Sequence, residues 1–352
     1  MKLWMPLVEL RIDNDNNIRV VFAHEFGLIA MSLGTCVVIG AAGFIGSHLV
    51  DRLLAEEYEV VGIDSLLLGK RSNLVQAFHN PNFSFLESDV NDYNLCTQLL
   101  KPIAERANLT MVWHLAANSD IRAGSADPEV DLRNTFLSTF NVLKIVKLFR
   151  IPTLAFASSS AIYGNYPRTL TEESGPLFPV SNYGAMKLAS EGTISAALET
   201  FLKQAWIFRF PNVVGSRTTH GVIHDLMKRL RQKPTELEVL GDGLQEKPYL
   251  HVSELVDAMF FIYQHAKEAL NYFNVGTDGS TTTVRYIAET MVQKVAPGSA
   301  IQYGGGTKGW PGDVAKYSYS IEKLGNLGWS PQLTSDQAID RAIEEVAKEI
   351  SG

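Results

Sequence analysis

Short apolar runs alternate with longer segments of helical periodicity from residue 35 onward. The short runs suit buried strands, and in the longer segments apolar residues recur at the spacing of an amphipathic helix. This pattern predicts strands at Cys36–Ile39, Glu59–Ile63, Asn82–Glu87, Met111–Leu115, Thr153–Ala157 and Ala205–Arg209, and helices at Ile45–Glu56, Leu95–Ala107, Pro128–Phe149 and Tyr183–Gln204. Strands that alternate with helices form βαβ units, so we expect an α/β protein with a doubly wound parallel sheet.

The regular alternation weakens after about residue 212, where loops rich in glycine and proline appear. We therefore expect a doubly wound domain at 35–211 and a smaller α/β domain at 212–352, which partly interleaves with the first. Residues 1–34 precede the pattern as an N-terminal extension. Within it, Leu7–Ile12 and Ile18–Phe22 flank polar turn residues and predict a hairpin. An upstream translation start, with Met31 as the alternative first residue, stays open.

Composition and charge exclude several classes of protein. Hydrophobic residues make up 46% and charged residues 20% of the 352 residues, which is ordinary for a folded globular chain. The formal net charge is −7 and no basic block stands out, so no nucleic-acid partner is expected. Neither a membrane span nor a signal peptide is evident, so we expect no membrane partner and a cytoplasmic location. Cys36 and Cys96 lack metal-ligand spacing and are predicted to be buried.

A glycine-rich turn stands between the first predicted strand and the first predicted helix, with glycines at 40, 43 and 46. Glycines let the backbone turn tightly and approach a pyrophosphate, and the helix N-terminus offers N–H groups to its phosphates. Asp64 ends the next strand, where a carboxylate can hydrogen-bond ribose hydroxyls and repel a 2′-phosphate. The combination predicts NAD rather than NADP as the cofactor, while Lys70 and Arg71 nearby keep the NADP alternative open.

Tyr183 and Lys187 are spaced i, i+4 at the start of a predicted helix and so share one face. A cation beside a phenol favours the phenolate and lowers its pKa from about 10 toward neutrality. Such a tyrosine can take a proton from a sugar hydroxyl. The serines at 158–160 follow the predicted strand Thr153–Ala157, at the sheet edge where ligands bind. Each feature alone is common, but together with the glycine turn they predict an active site.

These motifs resemble the extended short-chain dehydrogenases/reductases of the NAD-dependent epimerase/dehydratase family, from about residue 35 to the C-terminus. The matching segments are Gly40–His48, Asp89–Val90, His114–Ala117, Ser158–Gly164, Tyr183–Lys187, Arg209–Gly215, Gly241–Val252 and Gly312–Asp313. The resemblance implies a Rossmann-type fold with a smaller C-terminal substrate-binding domain, and catalysis by Ser159, Tyr183 and Lys187. It implies NAD held by Gly40, Gly43, Phe44, Ile45, Gly46, Asp64, Ser65, Asp89, Val90, Leu115, Ala116, Ala117, Asn134, Tyr183 and Lys187.

The resemblance also implies a nucleotide-sugar substrate, bound by Ser159, Asn212, Lys247 and Asp313. Two positions depart from the family pattern. Lys247 stands where an arginine usually contacts the diphosphate, and Trp310 occupies the place of a second such arginine, with Lys308 as the nearest cation. Lysine lacks the bidentate fork of arginine, so the nucleotide and the sugar stay open.

The segment Ser158–Gly164 resembles that of the UDP-hexose 4-epimerases in the family. A dehydratase needs a general acid for the leaving hydroxyl, and related dehydratases carry one just after the catalytic hydroxyl, where this chain has Ser160 and Ala161. We therefore predict a UDP-hexose 4-epimerase that acts through a transient 4-keto sugar. A dehydratase, reductase or decarboxylase of the same family is the first alternative. A non-catalytic NAD(P)-binding sensor is the second, although such sensors usually lose the tyrosine or the lysine.

Other residues that suggest chemistry receive a structural interpretation. His220 and His224 are spaced i, i+4 without the glutamate of HExxH, so we expect a loop or surface position and no metal. His114 follows a strand and is expected to be buried and hydrogen-bonded, and Met259–Tyr263 is expected to pack in the core. By the resemblance, the helices Pro128–Phe149 and Tyr183–Gln204 would pair with their copies in a homodimer, but their apolar residues would serve the internal core equally well.

Overall fold

We describe the protein from a computed structural model that describes residues 34–306 and 314–351 and, before them, the backbone of two strands. These strands, β1 (Leu7–Ile12) and β2 (Ile18–Ala23), pair antiparallel with Leu7 opposite Ala23. They lie in a compact unit, Met1–Leu33, and Gly34–Gly352 forms a second unit. Met31 lies outside the described residues.

The second unit alternates strands and helices. Its strands are β3 (Thr35–Ile39), β4 (Glu59–Asp64), β5 (Phe83–Glu87), β6 (Leu109–His114), β7 (Thr153–Ser159), β8 (Gln204–Phe210), β9 (Asn212–Val214), β10 (Glu236–Val239), β11 (Glu246–Lys247), β12 (Tyr249–His251), β13 (Leu270–Asn274), β14 (Thr282–Thr283) and β15 (Ala300–Tyr303). Its α-helices are α1 (Phe44–Ala55), α2 (Tyr93–Arg106), α3 (Ile121–Ala126), α4 (Pro128–Asp131), α5 (Ser138–Phe149), α6 (Asn182–Leu198), α7 (Val222–Gln232), α8 (Val252–His265), α9 (Val284–Val295), α10 (Glu322–Leu327) and α11 (Ser335–Ser351). A π-helical turn, Leu132–Leu137, joins α4 to α5.

Seven parallel strands form the central sheet, in the order β13, β8, β7, β6, β3, β4, β5. A sheet covered on both faces buries every side chain of its central strands, and β3 is accordingly buried along its whole length. The strand order reverses between β3 and β6, where Val37 faces Val61 on one side and Val112 on the other. Ligands bind beyond the carboxyl ends of the strands at such a switch point. The predicted doubly wound, Rossmann-type α/β fold is confirmed.

The chain after residue 212 builds a separate layer and also returns to the sheet. Helices α7, α9 and α11 pack around an apolar cluster that includes Leu226, Met291 and Ile339. Short strand pairs accompany it, β9 with β12, β10 with β15 and β11 with β14. In contrast, β13 joins the central sheet beside β8. The division of the unit at residue 212 stays a prediction.

Several element boundaries differ from the prediction. The helix predicted at Tyr183–Gln204 ends at Leu198, because the following residues turn back onto Ala197, whose carbonyl accepts from three backbone N–H groups, those of residues 200, 201 and 202. Gln204 instead begins β8. The helix predicted at Pro128–Phe149 is present, but a π-helical turn interrupts it. Strand β7 continues to Ser159, two residues past the predicted end.

The interior accounts for most residues that were given a structural role. Met259 and Phe260 are buried in α8, and His114 is fully buried with its Nε2 atom 3.0 Å from Thr139 Oγ1, as predicted. Cys36 and Cys96 are also buried, and burial raises the pKa of their thiols to about 12 and about 11. Within residues 34–306 and 314–351, no helix is long and apolar enough to cross a membrane. The same part of the chain contains no group of three or more His, Cys, Asp or Glu residues placed to hold a metal ion.

Candidate active site

A cavity of about 750 Å³ opens at the carboxyl ends of the central strands. This volume lies in the usual range for a ligand site, roughly 300–1,000 Å³. The structure brings together in its lining Gly40, Gly43, Phe44, Ile45, Gly46, Asp64, Ser65, Asp89, Val90, Leu115, Ala116, Ala117, Asn134, Ser159, Tyr183, Lys187, Asn212 and Lys247. Asp313, together with Lys308 and Trp310, lies outside the described residues.

The glycine turn at the cavity fits a dinucleotide. Gly40 has φ of +87°, and a Cβ atom there would lie 2.7 Å from the backbone nitrogen of Ala116. A Cβ at Gly46 would lie 1.9 Å from the carbonyl oxygen of Gly40. Helix α1 begins at Phe44 without a side-chain cap on its first turn. This N-terminus therefore offers its N–H groups and the positive end of its dipole to a pyrophosphate.

Asp64 combines a structural role with its place in the cavity wall. Its Oδ2 atom accepts a hydrogen bond from Ala42 N at 2.9 Å, and Oδ1 accepts from Leu66 N at 2.8 Å. The carboxylate thus fastens the glycine turn to the end of β4. Burial raises the pKa of Asp64, and the hydrogen bonds from Leu66 and Ala42 counter part of that shift. A carboxylate at this position favours ribose hydroxyls and disfavours a phosphate on the same ribose.

We predict that the protein binds NAD at least about 100-fold more tightly than NADP, because placing like charges together costs several kcal/mol. Of the two cations that kept NADP open, Arg71 is already engaged by another acid. Arg71 pairs with Glu87 at 3.4 Å and stacks over Phe78. Calorimetric titration with both cofactors measures the ratio. Asp64→Asn keeps an acceptor oxygen and loses the charge, so it should reduce the ratio of the affinity for NAD to that for NADP. A full preference for NAD in this variant would show that the discrimination comes from elsewhere.

The proposed catalytic side chains meet where β7 ends and α6 begins. Ser181 caps α6 by accepting from Gly184 N at 3.1 Å, which fixes the first turn that carries Tyr183. Ser159 ends β7 and lies close enough to the Tyr183 phenol to lower its pKa by hydrogen bonding. Lys187 Nζ lies 5.7 Å from the centre of the Tyr183 ring. The i, i+4 spacing therefore places both side chains against the end of β7.

The pKa of Tyr183 differs from the prediction. Burial raises it above the usual range of a phenol, and the negative charge of Asp131 adds to the increase. The expected lowering by Lys187 is therefore wrong for this arrangement. Burial also lowers the pKa of Lys187 to about 7, and its Nζ donates to the carbonyl oxygen of Ala157 at 2.6 Å. The phenolate consequently needs more positive charge beside it than Lys187 provides.

A buried ion pair below Lys187 was missed from the sequence. Glu191 pairs with Arg209 of β8, with Nη2 and Oε2 separated by 2.7 Å, and both side chains are largely buried. Ser158 also donates a hydrogen bond to Glu191. Glu191 follows Lys187 by the same four residues that separate Lys187 from Tyr183, so the continued spacing was the available signal. The ion pair joins α6 to β8, the strand that precedes Asn212 in the cavity lining.

The cavity wall also contains residues that were predicted to bind a substrate and one buried amide that was not predicted. Asn212 begins β9 opposite Tyr249, and Lys247 ends β11 opposite Thr282. Gln245, also in the lining, is only 3% exposed, and its amide atoms have no hydrogen-bond partner among the described residues. No motif of charged residues marks a buried amide such as this one.

His220 lies in the loop before α7, as predicted, whereas His224 lies within α7. His220 and His224 both line the cavity, and burial lowers the pKa of His220. An ion pair at 2.9 Å between Arg122 and Asp225 joins α3 to α7 next to them. The sequence could not reveal this placement, because it depends on how α7 packs across the cavity mouth.

Comparisons with known proteins agree with this architecture. Residues 36–276 match the sequence profile of the NAD-dependent epimerase/dehydratase family. The UDP-glucose 4-epimerase of Mycolicibacterium smegmatis is 29% identical over 314 residues, covering 88% of this chain and 97% of that protein. UDP-glucuronic acid decarboxylase 4 of Arabidopsis thaliana is 27% identical over 326 residues, covering 90% of this chain and 69% of that protein. A solved structure of a UDP-galactose 4-epimerase is 33% identical with a TM-score of 0.79, covering 90% of this chain and 99% of that one.

The fold and the glycine turn at the switch point define a dinucleotide-dependent enzyme of the Rossmann type. The chain belongs to the NAD-dependent epimerase/dehydratase family, and NAD is its cofactor. The family resemblance and the cofactor predicted from the sequence are thus confirmed. The roles of the individual side chains in the cavity stay predictions.

Proposed function

We propose that the protein is a nucleotide-sugar 4-epimerase, with a UDP-hexose as the substrate. The observation that carries the proposal is the meeting of Ser159, Tyr183 and Lys187 in one cavity with the glycine turn. Ser160 and Ala161 follow the catalytic serine, so no acid stands where related dehydratases carry one. The Ser160 hydroxyl lies 3.3 Å from the Tyr317 hydroxyl. The epimerases among the similar proteins support the same reaction class.

In the proposed reaction, Tyr183 takes the proton from the sugar hydroxyl at C4 while the same carbon gives up a hydride. When bound, NAD would accept this hydride and, in its oxidised form, would supply positive charge to the cavity that the glycine turn and Asp64 line. Ser159 orients the reacting oxygen, and Lys187 adds its charge 5.7 Å from the centre of the Tyr183 ring. Tyr183 later returns the proton to the 4-keto sugar, after the sugar has turned over in the cavity. No net oxidation or reduction remains after one turnover.

The substrate's diphosphate would lie against Asn212 and Lys247. Both residues line the cavity, and Lys247 brings positive charge to it. A charge-assisted hydrogen bond of this kind contributes roughly 1.5–3 kcal/mol. Asp313 completes the proposed substrate set from the sequence alone.

We predict that the purified protein with catalytic NAD converts a UDP-hexose into an equilibrium mixture with its 4-epimer. The reason is that the hydride returns to the sugar, so NADH does not accumulate. Proton NMR of UDP-, GDP- and dTDP-hexoses follows the sugar, and absorbance follows NADH. UDP-glucuronic acid belongs in the panel because a decarboxylase is among the similar proteins.

Each rival gives a different result in this assay. In a parallel assay supplied with NADH, its stoichiometric consumption indicates a reductase, and a stable 4-keto-6-deoxy sugar indicates a dehydratase. A pentose product from UDP-glucuronic acid indicates a decarboxylase. If every sugar stays unchanged while NAD remains bound, the epimerase proposal fails for this panel and the sensor gains support.

A homodimer and a cytoplasmic location remain proposals. Leu137, at the end of the π-helical turn, and Phe140 and Leu148 of α5 are exposed apolar side chains on the chain's surface. An exposed apolar row on a helix is typical of a surface that packs against another chain. It supports the predicted pairing of this helix with its copy.

A further inference from the structure

A buried carboxylate beside the proposed catalytic residues has no role in the reaction described above. Asp131 ends α4 directly before the π-helical turn and is 0% exposed. Its Oδ1 atom accepts a hydrogen bond from Asn118 Nδ2 at 2.8 Å. Its Oδ2 atom has no hydrogen-bond partner among the described residues. An enclosed carboxylate with an unsatisfied oxygen is unfavourable unless a cation lies nearby.

The cation whose charge acts on Asp131 is Lys187, and α6, which carries Lys187, packs against α4, which ends at Asp131. This lysine is only 2% exposed, and its Nζ donates to a carbonyl oxygen, that of Ala157. Within the described part of the chain it forms no direct ion pair, but the charges of Glu191 and Asp131 both act on it. A buried ammonium needs compensating negative charge to stay protonated.

Glu191 and Asp131 differ in whether their charge is already compensated by another cation. Glu191 is already paired with Arg209 at 2.7 Å, so its charge is compensated there. His114, which also lies near Lys187, is buried and neutral, with its pKa lowered to about 3. Asp120, the other acid that acts on Asp131, lies on the partly exposed side with Arg122 at 3.9 Å. Asp131 is therefore the carboxylate left to balance the Lys187 ammonium.

The local backbone fixes Asp131 in this place. A Cβ atom at Gly124 would lie 1.7 Å from Asp131 Oδ2, so the carboxylate fills the space that a side chain at 124 would occupy. Asn118 holds the other oxygen, and the backbone nitrogen of Asn118 donates to Thr135 at 3.2 Å. The carboxylate is thus held between α3, the π-helical turn and the strand-end loop.

We infer that Asp131 is a positioning residue of the proposed active site, whose enclosed carboxylate balances the Lys187 ammonium beside Tyr183. The inference rests on the proposed function of Tyr183 and Lys187. By this inference, the junction of α4 and the π-helical turn places one negative charge against the buried side of α6, the helix that carries Tyr183 and Lys187.

Asp131→Asn removes this charge and changes little else in size. Because a nearby anion raises the pKa of both an ammonium and a phenol, its loss should lower the pKa of Lys187 and of Tyr183, each by about one pH unit or more. Lys187, which burial already holds near neutrality, then loses its proton at lower pH. The pH profile of turnover should shift toward acid on both limbs.

The first experiment titrates Tyr183 in the NAD-loaded protein by the ultraviolet band of tyrosinate. Subtracting the spectrum of the matching Tyr183→Phe protein isolates this phenol from the other tyrosines. The control is Asp127→Asn, an exposed residue whose side chain caps α4 and for which asparagine is an equally good cap. We expect a downward shift of the Tyr183 pKa in Asp131→Asn alone. The same Tyr183 pKa in the original protein, Asp131→Asn and Asp127→Asn would overturn the inference.

The second experiment compares the thermal stability of Lys187→Met, Asp131→Asn and the double variant. Each single change leaves one buried charge without its counterpart, so each should lower Tm by several degrees. The double variant removes both charges and should recover most of the loss, even if Asp131→Asn alone folds poorly. Losses that simply add would overturn the inference. Neither experiment uses a sugar, so failure of the epimerase proposal does not alter their outcome.

Discussion

Tyr183→Phe is expected to reduce kcat by about 10²–10⁴-fold, because this is the typical contribution of positioned proton transfer. The change removes only the phenol oxygen. The ring, which lines the cavity with its centre 5.7 Å from Lys187 Nζ, is kept, so the fold and NAD binding should persist. The measurement is kcat with the sugar identified by NMR, together with Tm and the calorimetric affinity for NAD.

A matched substitution separates chemistry from packing in this prediction. Tyr286 lies in α9, outside the cavity lining, and its hydroxyl is 3.2 Å from Asp340. Tyr286→Phe removes the same atom at a distance from the site and should leave turnover within a few-fold of the original protein. If Tyr183→Phe also stays within a few-fold, Tyr183 is not the proton acceptor. If it loses NAD, its role is to support the cofactor site.

The cofactor half of the site could be predicted because its determinants are local in sequence. The glycines at 40, 43 and 46 lie within a single turn, and Asp64 ends the neighbouring strand. Glycine is required there by contacts that any strand-turn-helix unit would make, such as the 1.9 Å from a Cβ at Gly46 to the Gly40 oxygen. The periodicity of strands and helices then places the turn at the edge of a parallel sheet.

The electrostatics of Tyr183 and Lys187, the proposed catalytic pair, could not be predicted in the same way. Spacing put Tyr183 and Lys187 on one face of α6, but their pKa values depend on burial and on charges from other elements. Asp131 reaches the pair from the end of α4, and Glu191 is matched by Arg209 of β8. Desolvation is a property of the assembled fold, so a model based on the two residues alone gave the wrong direction for Tyr183.

The irregular parts of the chain mark the limits of periodicity. A helical pattern fits Pro128–Phe149 whether or not it contains a π-helical turn, since the apolar residues shift by only one position across it. This turn nevertheless sets the place of Asp131 and Asn134 at the site. Similarly, the residues after Leu198 have helical spacing but turn toward β8, because the backbone there is satisfied by Ala197 and Pro152.

The buried ion pair between Glu191 of α6 and Arg209 of β8 leads to a large expected effect on stability. Arg209→Met should lower the free energy of unfolding by about 3–5 kcal/mol, because it leaves the Glu191 carboxylate buried without a cation. Arg209 also donates to Tyr163 at 3.0 Å, and that contact is lost as well. Urea denaturation monitored by fluorescence gives the free energy of unfolding for each protein.

Two further proteins identify the cause of this loss. The ion pair between Lys294 and Glu344 has the same 2.7 Å separation but lies on the surface, where solvent screens it, so Lys294→Met should cost much less. Adding Glu191→Gln to Arg209→Met removes the buried charge and should restore part of the stability. Equal losses in Arg209→Met and Lys294→Met would mean that water reaches Glu191 in solution. A loss in Arg209→Met that Glu191→Gln does not relieve would assign it to the contacts of Arg209 with Tyr163 and its neighbours.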